Sequence, residues 1–494
     1  MADKKKHFDI IIVGAGVVGC SIARELSKYK LKIAVLEKEE DVGWGVSCRN
    51  TAVVHAGFGV PPGSLRAKYC VEGNRSFEEL CKTLDVPYKK IGKLTIAKER
   101  KEIDAIKKLK EQGDQNGVMG LAIIGEKELK EMEPNIKGIA ALYSPQSAIT
   151  VPYLLTIALA ESAHKNGVQF FLNSKVTSIQ KNFNSSKFEV IAGEDRFVAA
   201  YVINSAGLYA DEVSQMIGID NYHIYPCRGE YYILDKNASG IVNHLIYPAP
   251  HEETGGWGAH ISPTVDGNIL IGPSAEYIKE KDDYATTKEV MEQLYEDARK
   301  FTSSITPKLF IRNYSGIRAK QTPPSIGGYL DFKIEESQKV RNFINLIGIE
   351  SPALTACIPI AKHVVNLLMQ KEKLEKNPDF DPYRKGILRF EEQDDETKAE
   401  LIKKEPDYGE IVCRCEQVTK KEILEAIYNP LGARSLISIK YRTRAMMGRC
   451  QGGYCMTRII EILKEEFGYK PEQFRLKGNN SYLFTGYRGN EVQS

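Results

Sequence analysis

The sequence predicts an α/β protein in three parts: a domain built on βαβ units, an antiparallel β-sheet inserted into it, and a small helical domain that carries grouped cysteines. Three observations support this architecture. Residues 8–38 show the pattern of strand, glycine-rich turn, helix and strand. Residues 226–273 contain β-branched and aromatic runs separated by turn residues. Four of the ten cysteines lie within residues 413–455.

The glycine-rich turn at residues 14–19 (GAGVVG) has the context of a dinucleotide-binding motif. It follows a β-branched run, opens a helix, and is followed about twenty residues later by an acid at Glu37. Gly16 lets a pyrophosphate approach the backbone, and the helix N-terminus adds free N–H groups and partial positive charge. The carboxylate of Glu37 suits a ribose 2′-hydroxyl and would repel a 2′-phosphate. The motif therefore favours FAD or NAD over NADP.

The loop at residues 41–57 favours FAD over NAD. It contains Gly, Ser, Asn and Thr where an NAD-binding domain would continue with a plain helix. Small and hydroxyl-bearing residues suit a loop that wraps a second phosphate and a flavin ring. The sequence therefore predicts a Rossmann-type FAD-binding domain.

Residues 50–57 (NTAVVHAG) and 61–68 (PPGSLRAK) resemble the D-amino-acid-oxidase-like FAD oxidoreductases, which include flavin-dependent glycerol-3-phosphate and L-2-hydroxyglutarate dehydrogenases. They look most like the L-2-hydroxyglutarate branch. Residues 201–211 are similar to the family's second dinucleotide signature, and residues 343–355 to its closing signature, where a helix N-terminus would face the flavin. The resemblance covers about residues 7–370.

The resemblance implies a discontinuous FAD-binding domain with the substrate domain inserted in it. It also implies that the backbone of Val176 holds the adenine edge, although an ordinary hairpin strand is the alternative. The oxidoreductase is expected at residues 1–385, with FAD-binding segments at about 1–75, 150–215 and 310–370, substrate segments at about 76–149 and 216–309, a linker at 386–410 and the cysteine domain at 411–494. The expected FAD-binding residues are Gly14, Gly16, Val18, Gly19, Glu37, Lys38, Ser47, Asn50, Thr51, Val176, Ala206, Gly207, Gly316, Gly348, Leu354 and Thr355.

Three side chains are candidates for catalysis. Arg318, in a pattern that matches the family, would need an anionic partner in a β-rich cavity, and a substrate carboxylate or phosphate would provide it. A structural arginine paired with a local acid is the alternative, and Arg228 is a second candidate. His55 is the candidate base because imidazole titrates near working pH. A covalent link to the flavin, as in some relatives, or a packing role are its alternatives.

The four grouped cysteines predict a metal centre. Cys413 and Cys415 are followed, after thirty-four residues, by Cys450 and Cys455. Four thiolates suit zinc or an iron–sulfur cluster, but structural zinc prefers wider spacing within a ligand pair than Cys-x-Cys. The pattern resembles the bacterioferritin-associated-ferredoxin-like 2Fe–2S domain, and a similar domain ends the large subunit of anaerobic glycerol-3-phosphate dehydrogenases. The positive charges expected to balance such a cluster are Arg414, Arg442, Arg444 and Arg449.

Composition excludes several classes of protein. The net charge of +3 results from 68 basic and 65 acidic residues, so nothing indicates a nucleic-acid partner. No stretch approaches the roughly twenty apolar residues of a transmembrane segment. The six remaining cysteines are scattered, which is typical of a reducing compartment. The expected location is the cytoplasm, or a membrane surface reached through a partner.

The resemblance implies a FAD-dependent dehydrogenase that oxidises glycerol 3-phosphate to dihydroxyacetone phosphate. A hydride would pass to the flavin, and electrons would then leave through the 2Fe–2S cluster to a partner electron-transfer subunit or a quinone. The cysteine domain favours this substrate, whereas the loops at residues 55–57 and 62–64 favour L-2-hydroxyglutarate. An amine or amino-acid dehydrogenase and a non-catalytic electron-transfer subunit are further alternatives. The presence of both Arg318 and His55 argues against the last of these.

Overall fold

The computed structural model describes residues 5–182, 184–250, 258–478 and 480–485. The chain forms two compact units, one of Met1–Lys38 with Val42–Arg384 and one of Glu39–Asp41 with Lys385–Ser494. In the described parts of the chain, no helix combines the length and apolar character that a membrane crossing needs.

The chain contains many strands, most of them in the first unit, and helices in both units. In the described ranges the strands are β1 (Lys6–Val13), β2 (Ile33–Leu36), β3 (Val53–Val54), β4 (Tyr88–Lys89), β5 (Lys93–Ala97), β6 (Ala122–Gly125), β7 (Ala140–Ser144), β8 (Ala148–Thr150), β9 (Gln169–Phe171), β10 (Val176–Asn182), β11 (Lys187–Ala192), β12 (Asp195–Asn204), β13 (Tyr225–Leu234), β14 (Leu245–Pro248), β15 (His260–Pro263), β16 (Ile269–Gly272), β17 (Glu276–Tyr277), β18 (Phe310–Lys320), β19 (Lys333–Glu336), β20 (Phe343–Ile347), β21 (Ile411–Cys413) and β22 (Val418–Thr419). The α-helices there are α1 (Val17–Leu26), α2 (Leu65–Leu84), α3 (Arg100–Gln115), α4 (Glu126–Met132), α5 (Pro152–Lys165), α6 (Ala210–Gln215), α7 (Lys288–Arg299), α8 (Ala353–Met369), α9 (Asp395–Lys404), α10 (Lys420–Ile427), α11 (Leu436–Thr443) and α12 (Cys455–Phe467).

The first sheet has the parallel βαβ core that the sequence predicts. Its strand order is β10-β11-β12-β1-β2-β9, with β20 beside β12 and β19 beside β20. Strand β1 runs parallel to both β2 and β12, and its last four residues are fully covered on both faces. A continuous apolar run suits such a central parallel strand, because helices cover both faces of the sheet. The α/β fold class is therefore confirmed.

The second sheet is the inserted, largely antiparallel one. Its order is β17-β13-β16-β15-β14-β5-β7-β6, and β18 pairs with β13. Strand β18 lies within residues 310–370, which the sequence analysis placed in the FAD-binding domain. It pairs with β13 from Tyr225 to Leu234, so this strand is part of the second sheet. A small third sheet joins β3, β8 and β4.

The register of β13 and β18 separates two groups of side chains. Arg318 lies opposite Cys227, whereas Arg228 lies opposite Ile317. Successive side chains point to opposite faces of a sheet. Arg318 therefore shares one face with Cys227 and with the stacked pair Tyr231 and Tyr314, whose ring centroids are 4.7 Å apart. Arg228 projects from the other face.

The second unit is mostly helical. Its core contains the buried side chains of α10, α11 and α12 together with Val412 and Val418 of the short hairpin β21–β22. Thr419 and Glu422 form a reciprocal capping box that begins α10. The predicted linker at residues 386–410 contains helix α9, which Asp394 caps by accepting a hydrogen bond from the backbone of Thr397. No residue of α9 is buried, which agrees with the lack of a regular apolar stripe in its sequence.

Candidate active site and cysteine centre

The turn after β1 has no room for side chains. A Cβ on Gly14 would lie 2.8 Å from the carbonyl oxygen of Ser205, and one on Gly19 would lie 2.0 Å from the carbonyl oxygen of Gly14. The φ of Gly14 is +97°, which strongly favours glycine. The side chain of Ser205 donates to the carbonyl oxygens of Val13 and Gly14. This close packing of turn, helix and strand is what the glycines of a dinucleotide-binding motif allow.

Glu37 binds this turn directly. Its Oε2 accepts a 2.7 Å hydrogen bond from the backbone N–H of Ala15. The next residue, Lys38, places its Nζ 4.1 Å from the ring centroid of Tyr209. The ribose contact predicted for Glu37 remains a prediction. Of the other residues predicted to bind the nucleotide, Val18 is half-buried in α1 and Val176 begins β10.

The predicted flavin loop is fixed from two sides. Ser47 Oγ accepts a 2.9 Å hydrogen bond from the N–H of Val17 at the start of α1, and its Oγ would lie 3.2 Å from a Cβ on Gly16. Asn50 bridges the loop, donating to the carbonyl of Ser47 and accepting from the N–H of Ala52. Because of these contacts, the loop lies against the nucleotide turn.

Strand β18 holds the same loop from the other side. The hydroxyl of Tyr314 donates a 3.0 Å hydrogen bond to the carbonyl of Asn50. A Cβ on Gly316 would lie 2.0 Å from the carbonyl oxygen of Arg49, so this predicted glycine is required for close packing. Thr51 contacts the hydroxyl of Tyr231 at 3.4 Å. The loop therefore lies on the sheet face that also carries Arg318.

The closing signature joins the site to α8. Gly348, with φ +65°, follows β20, and α8 begins at Ala353. The side chain of Thr355 accepts a 2.9 Å hydrogen bond from the backbone N–H of His55. Leu354 lies beside it in the first turn of α8, whose free N–H groups attract negative charge.

The second dinucleotide signature, at residues 201–211, contains two of the predicted FAD-binding residues. Ala206 donates a hydrogen bond through its backbone N–H to the side chain of Asn204, and Gly207 has φ +58°.

Arg318 lies deep in the first unit but keeps some accessible surface, as expected for a side chain that lines a cavity. Its guanidinium donates to the carbonyl of Ser274 at 3.1 Å and approaches the sulfur of Cys227 at 3.7 Å. No carboxylate among the described residues forms an ion pair with it. A guanidinium has five N–H donors, so Arg318 has capacity to bind an anion.

Three further basic side chains surround this position. His55, like Arg318, is enclosed by protein yet keeps some accessible surface. Burial, reinforced by the charges of Lys93 and Arg66, lowers the pKa of His55 to about 3. Burial also lowers the pKa of His260 well below its ordinary value, and the charges of Lys93, His55 and Arg318 add to the effect. His55, Lys93, His260 and Arg318 therefore form one basic cluster.

Sequence reasoning missed Lys93 and His260. Lys93 begins β5 and is 3% exposed, with its Nζ 3.4 Å from the ring centroid of Tyr247. His260 begins β15 and stacks on the same ring at 3.5 Å, and its Nδ1 has no hydrogen-bond partner among the residues that the structure describes. The sequence does carry one signal for Lys93, because a lysine that directly precedes the apolar run LTIA indicates a charged group in a buried strand.

Arg228 does not belong to this cluster. It ion-pairs with Glu276 at 2.7 Å and Asp283 at 2.8 Å, and Glu230 is 3.6 Å away. Its charge is therefore matched by three carboxylates of the protein itself. Because it also projects from the sheet face opposite to that of Arg318, we correct its assignment to a structural one.

The four grouped cysteines form two pairs. Cys413 hydrogen-bonds with Cys455, and Cys415 with Cys450. The bond from Cys455, assisted by backbone N–H groups, lowers the pKa of Cys413 to about 6. In the part of the chain that the structure describes, no three Cys, His, Asp or Glu side chains gather closely enough to hold one metal ion. Two pairs of thiols fit two irons, each with two cysteine ligands, better than a single zinc ion.

Two of the four arginines predicted to balance the cluster are bound elsewhere in this unit. Arg442 forms a buried two-bond ion pair with Asp41, at 2.5 and 3.1 Å. Arg444 donates a 2.8 Å hydrogen bond to Glu416. Arg414 and Arg449, which directly precede Cys415 and Cys450 in the sequence, are exposed to solvent.

The geometry defines a flavoprotein oxidoreductase that carries an additional cysteine centre, and comparison with known proteins agrees. Residues 9–367 match the family model described as FAD dependent oxidoreductase, and residues 411–465 match that of the BFD-like [2Fe-2S] binding domain. The chain belongs to the FAD dependent oxidoreductase family. FAD and a 2Fe–2S cluster are therefore its cofactors, and the resemblance noted in the sequence is confirmed.

Individual relatives cover different shares of the chain. A protein named glycerol 3-phosphate dehydrogenase from Caloramator mitchellensis is 42% identical over 491 residues, covering 98% of this chain and all of the relative. Mitochondrial L-2-hydroxyglutarate dehydrogenase from Arabidopsis thaliana is 32% identical, covering 74% of this chain and 84% of its own length. The FAD-bound L-alpha-glycerophosphate oxidase from Mycoplasma pneumoniae has a TM-score of 0.72 at 29% identity, covering 76% of this chain and 98% of that one.

Proposed function

We propose that the protein oxidises glycerol 3-phosphate to dihydroxyacetone phosphate, with the hydride passing to FAD. Electrons then leave through the 2Fe–2S cluster to a partner electron-transfer subunit or a quinone. One observation carries the choice of substrate: the Caloramator mitchellensis relative named for this activity is similar over 98% of the chain. That similarity includes the cysteine unit as well as the FAD-binding unit.

The basic cluster supports an anionic substrate. Arg318 supplies a planar fork of donors that matches phosphate, and Lys93 and His260 add positive or hydrogen-bonding groups nearby. A phosphate dianion placed there would stabilise charges that burial otherwise disfavours. We assign Arg318 to binding of the phosphate, and we assign Lys93 and His260 to the same basic cluster around it.

His55 is the proposed base. Its low pKa means that the imidazole is neutral at working pH, so a ring nitrogen can accept a proton. The C2 hydroxyl of the substrate would give its proton to His55 while the C2 hydrogen leaves as hydride, and a carbonyl forms at C2. When bound, FAD supplies the acceptor for the two electrons of that hydride. The bond between Thr355 and the backbone of His55 fixes the position of this loop.

L-2-Hydroxyglutarate is the second candidate substrate. Relatives named for that activity reach 34% identity, and the loops at residues 55–57 and 62–64 resemble that branch. A substrate with two carboxylates would also suit a cluster of several basic groups. Amine and amino-acid substrates fit less well, because they would add a positive charge beside these groups.

Steady-state assays with an artificial one-electron acceptor distinguish the two substrates. We expect kcat/KM for glycerol 3-phosphate to exceed that for L-2-hydroxyglutarate by about 100-fold or more, which corresponds to about 2.7 kcal/mol of transition-state binding. The reverse preference would replace the proposed substrate by the second candidate. Turnover with neither would favour a relay subunit without its own substrate.

The place of action that we propose is the cytoplasm, with association to a membrane only through a partner. All ten cysteines lie in the described ranges, and none of them is paired in a disulfide bond there. Free thiols and an iron–sulfur cluster both suit a reducing compartment.

A further inference from the structure

The two cysteine pairs differ in their exposure to solvent. Cys413 and Cys455 are buried in the core of the second unit, with 1% and 0% of their surface accessible. Cys415 and Cys450 are both exposed. One side of the cluster site therefore faces the protein interior, and the other side reaches the surface of the unit.

The loops that carry the exposed pair are rich in arginine. Residues 413–417 and 444–455 contain four charged side chains. The single acid among them, Glu416, is buried and accepts a hydrogen bond from Arg444. The two others, Arg414 and Arg449, are exposed.

An exposed aromatic ring lies beside these charges. Tyr454 is 50% exposed, and the guanidinium carbon of Arg414 lies 4.3 Å from its ring centroid. Arginine and tyrosine are, with tryptophan, the residue types enriched among those that dominate protein–protein binding energy. We call the surface of Arg414, Cys415, Arg449, Cys450, Gly453 and Tyr454 the basic cysteine face.

We propose that the basic cysteine face is the docking surface for an acidic one-electron carrier protein. A 2Fe–2S cluster exchanges single electrons, so a hydride acceptor does not suit this position. A quinone would need an apolar groove, whereas this face combines two arginines, a glycine-rich loop and one ring. Opposite charge on the partner would orient it over the exposed thiolate pair and accelerate the encounter.

The electron count of the proposed exchange is balanced. Oxidation of one secondary alcohol to a carbonyl releases two electrons and two protons. Two carrier molecules each accept one electron, and both protons pass to solvent. The proposal rests on the cluster serving as the route by which electrons leave, and it does not depend on which substrate supplies them.

The test therefore uses holoenzyme that is reduced photochemically without substrate. Reduced protein is mixed anaerobically in a stopped-flow instrument with oxidised rubredoxin, a small acidic one-electron protein, or with basic cytochrome c. Wild-type protein is expected to reduce rubredoxin faster at low than at high ionic strength, because salt screens the attraction. Binding of oxidised rubredoxin to oxidised holoenzyme, measured by calorimetry, gives a readout that is independent of electron transfer.

Charge-reversal variants locate the surface. Arg414→Glu/Arg449→Glu is expected to slow rubredoxin reduction and weaken its binding about tenfold or more, and Arg414→Gln/Arg449→Gln is expected to give a smaller loss. Arg434→Glu is the matched control, because Arg434 is exposed but lies on the ring of Phe467 at 4.4 Å. Electron paramagnetic resonance confirms that each variant retains its cluster.

Three results would overturn the proposal. The first is unchanged binding and electron transfer in the double charge-reversal variant with its cluster intact. The second is rubredoxin reduction that is no faster than cytochrome c reduction at low ionic strength. The third is transfer of electrons to a soluble quinone but not to rubredoxin. In contrast, loss of turnover with glycerol 3-phosphate would affect only the proposed substrate.

Discussion

His55 is uncharged because its surroundings disfavour a proton on the ring. Burial has the largest effect, and Lys93 and Arg66 add positive charge nearby, so the pKa of His55 falls to about 3. A base with so low a pKa is weak on its own. Binding of an anion beside it would offset the two positive charges and raise its proton affinity. Substrate binding and base strength are therefore linked at this residue.

The first prediction concerns that base. His55→Gln should lower kcat by about 10²–10⁴-fold while FAD content stays normal, because general-base assistance is lost but the loop remains. Turnover and bound FAD are measured on the same sample. His223→Gln, at an exposed histidine that packs on Tyr225, is the control and should keep full activity. Normal turnover of the His55 variant with FAD bound would exclude the base role.

Acid denaturation separates the base from the alternative covalent role. If His55 is free, the yellow colour should remain in the supernatant when the protein is precipitated. Colour retained on the pellet of the wild-type protein, but not of His55→Gln, would identify His55 as the flavin attachment site instead.

The second prediction compares two arginines on adjacent strands. Arg318→Lys should lower kcat/KM by roughly 30- to 150-fold, about 2–3 kcal/mol, because a lysine cannot reproduce two parallel bonds to a phosphate. Arg228→Lys disturbs the pairs with Glu276 and Asp283, so it should lower the melting temperature and leave KM unchanged. Equal effects of both substitutions on KM would contradict the assignment of the two arginines to opposite faces.

At the scale of secondary-structure elements, the sequence predicts those elements whose signals lie close together along the chain. The run from β1 to β2 was anticipated because the apolar strand, the glycine turn and the following acid are all contiguous. The helix itself ends at Leu26, where the backbone N–H of the following Ser27 donates to the carbonyl oxygen of Ala23. The exact end of a helix depends on capping contacts that periodicity does not reveal.

The parts of the site that sequence reasoning missed come from separate elements. Lys93 and His260 begin β5 and β15, which are neighbours only through β14 of the second sheet. Two of the three acids around Arg228 likewise come from other parts of the chain, Glu276 from β17 and Asp283 from the loop after it. Such juxtapositions depend on strand order and register, which no short pattern in one sequence specifies.

The third prediction concerns the packing of α2 on α8. A Cβ at Gly73 would lie 1.9 Å from the carbonyl oxygen of Thr355, the residue whose side chain holds the backbone of His55. Gly73→Ala should therefore destabilise the first unit by about 1–3 kcal/mol and weaken FAD retention, since the two helices must separate. Ser76→Ala, at an exposed position of α2, is the control. Thermal melting followed by flavin fluorescence measures both, and equal melting temperatures would refute the packing argument.

At the scale of the whole molecule, buried basic groups make folding depend on pH. The unfolded chain binds a proton at His55 and His260 below about pH 6.5, whereas burial keeps both neutral in the folded protein. Because the unfolded state binds more protons, the free energy of unfolding decreases as the pH falls below that value. The slope approaches about 1.4 kcal/mol per pH unit for each histidine.

The fourth prediction follows from this linkage. The melting temperature of the holoprotein should drop between pH 7 and pH 5, and His55→Gln/His260→Gln should show a smaller drop because neither glutamine titrates. Differential scanning calorimetry at matched ionic strength provides the measurement. An identical pH dependence in wild type and the double variant would show that these histidines are not held neutral.

Reduction of the flavin and reduction of the cluster can be followed separately, because the first bleaches a visible band and the second gives a paramagnetic resonance signal. The central claim is that glycerol 3-phosphate reduces the flavin and that electrons then reach the cluster. The most direct measurement is an anaerobic titration of holoenzyme with glycerol 3-phosphate, monitored by visible absorbance and by electron paramagnetic resonance. We predict that the flavin band bleaches and that the signal of a reduced 2Fe–2S cluster appears, whereas Cys413→Ser shows bleaching without that signal. Bleaching by L-2-hydroxyglutarate but not by glycerol 3-phosphate, or a bleached flavin with no cluster signal in the wild type, would contradict the claim.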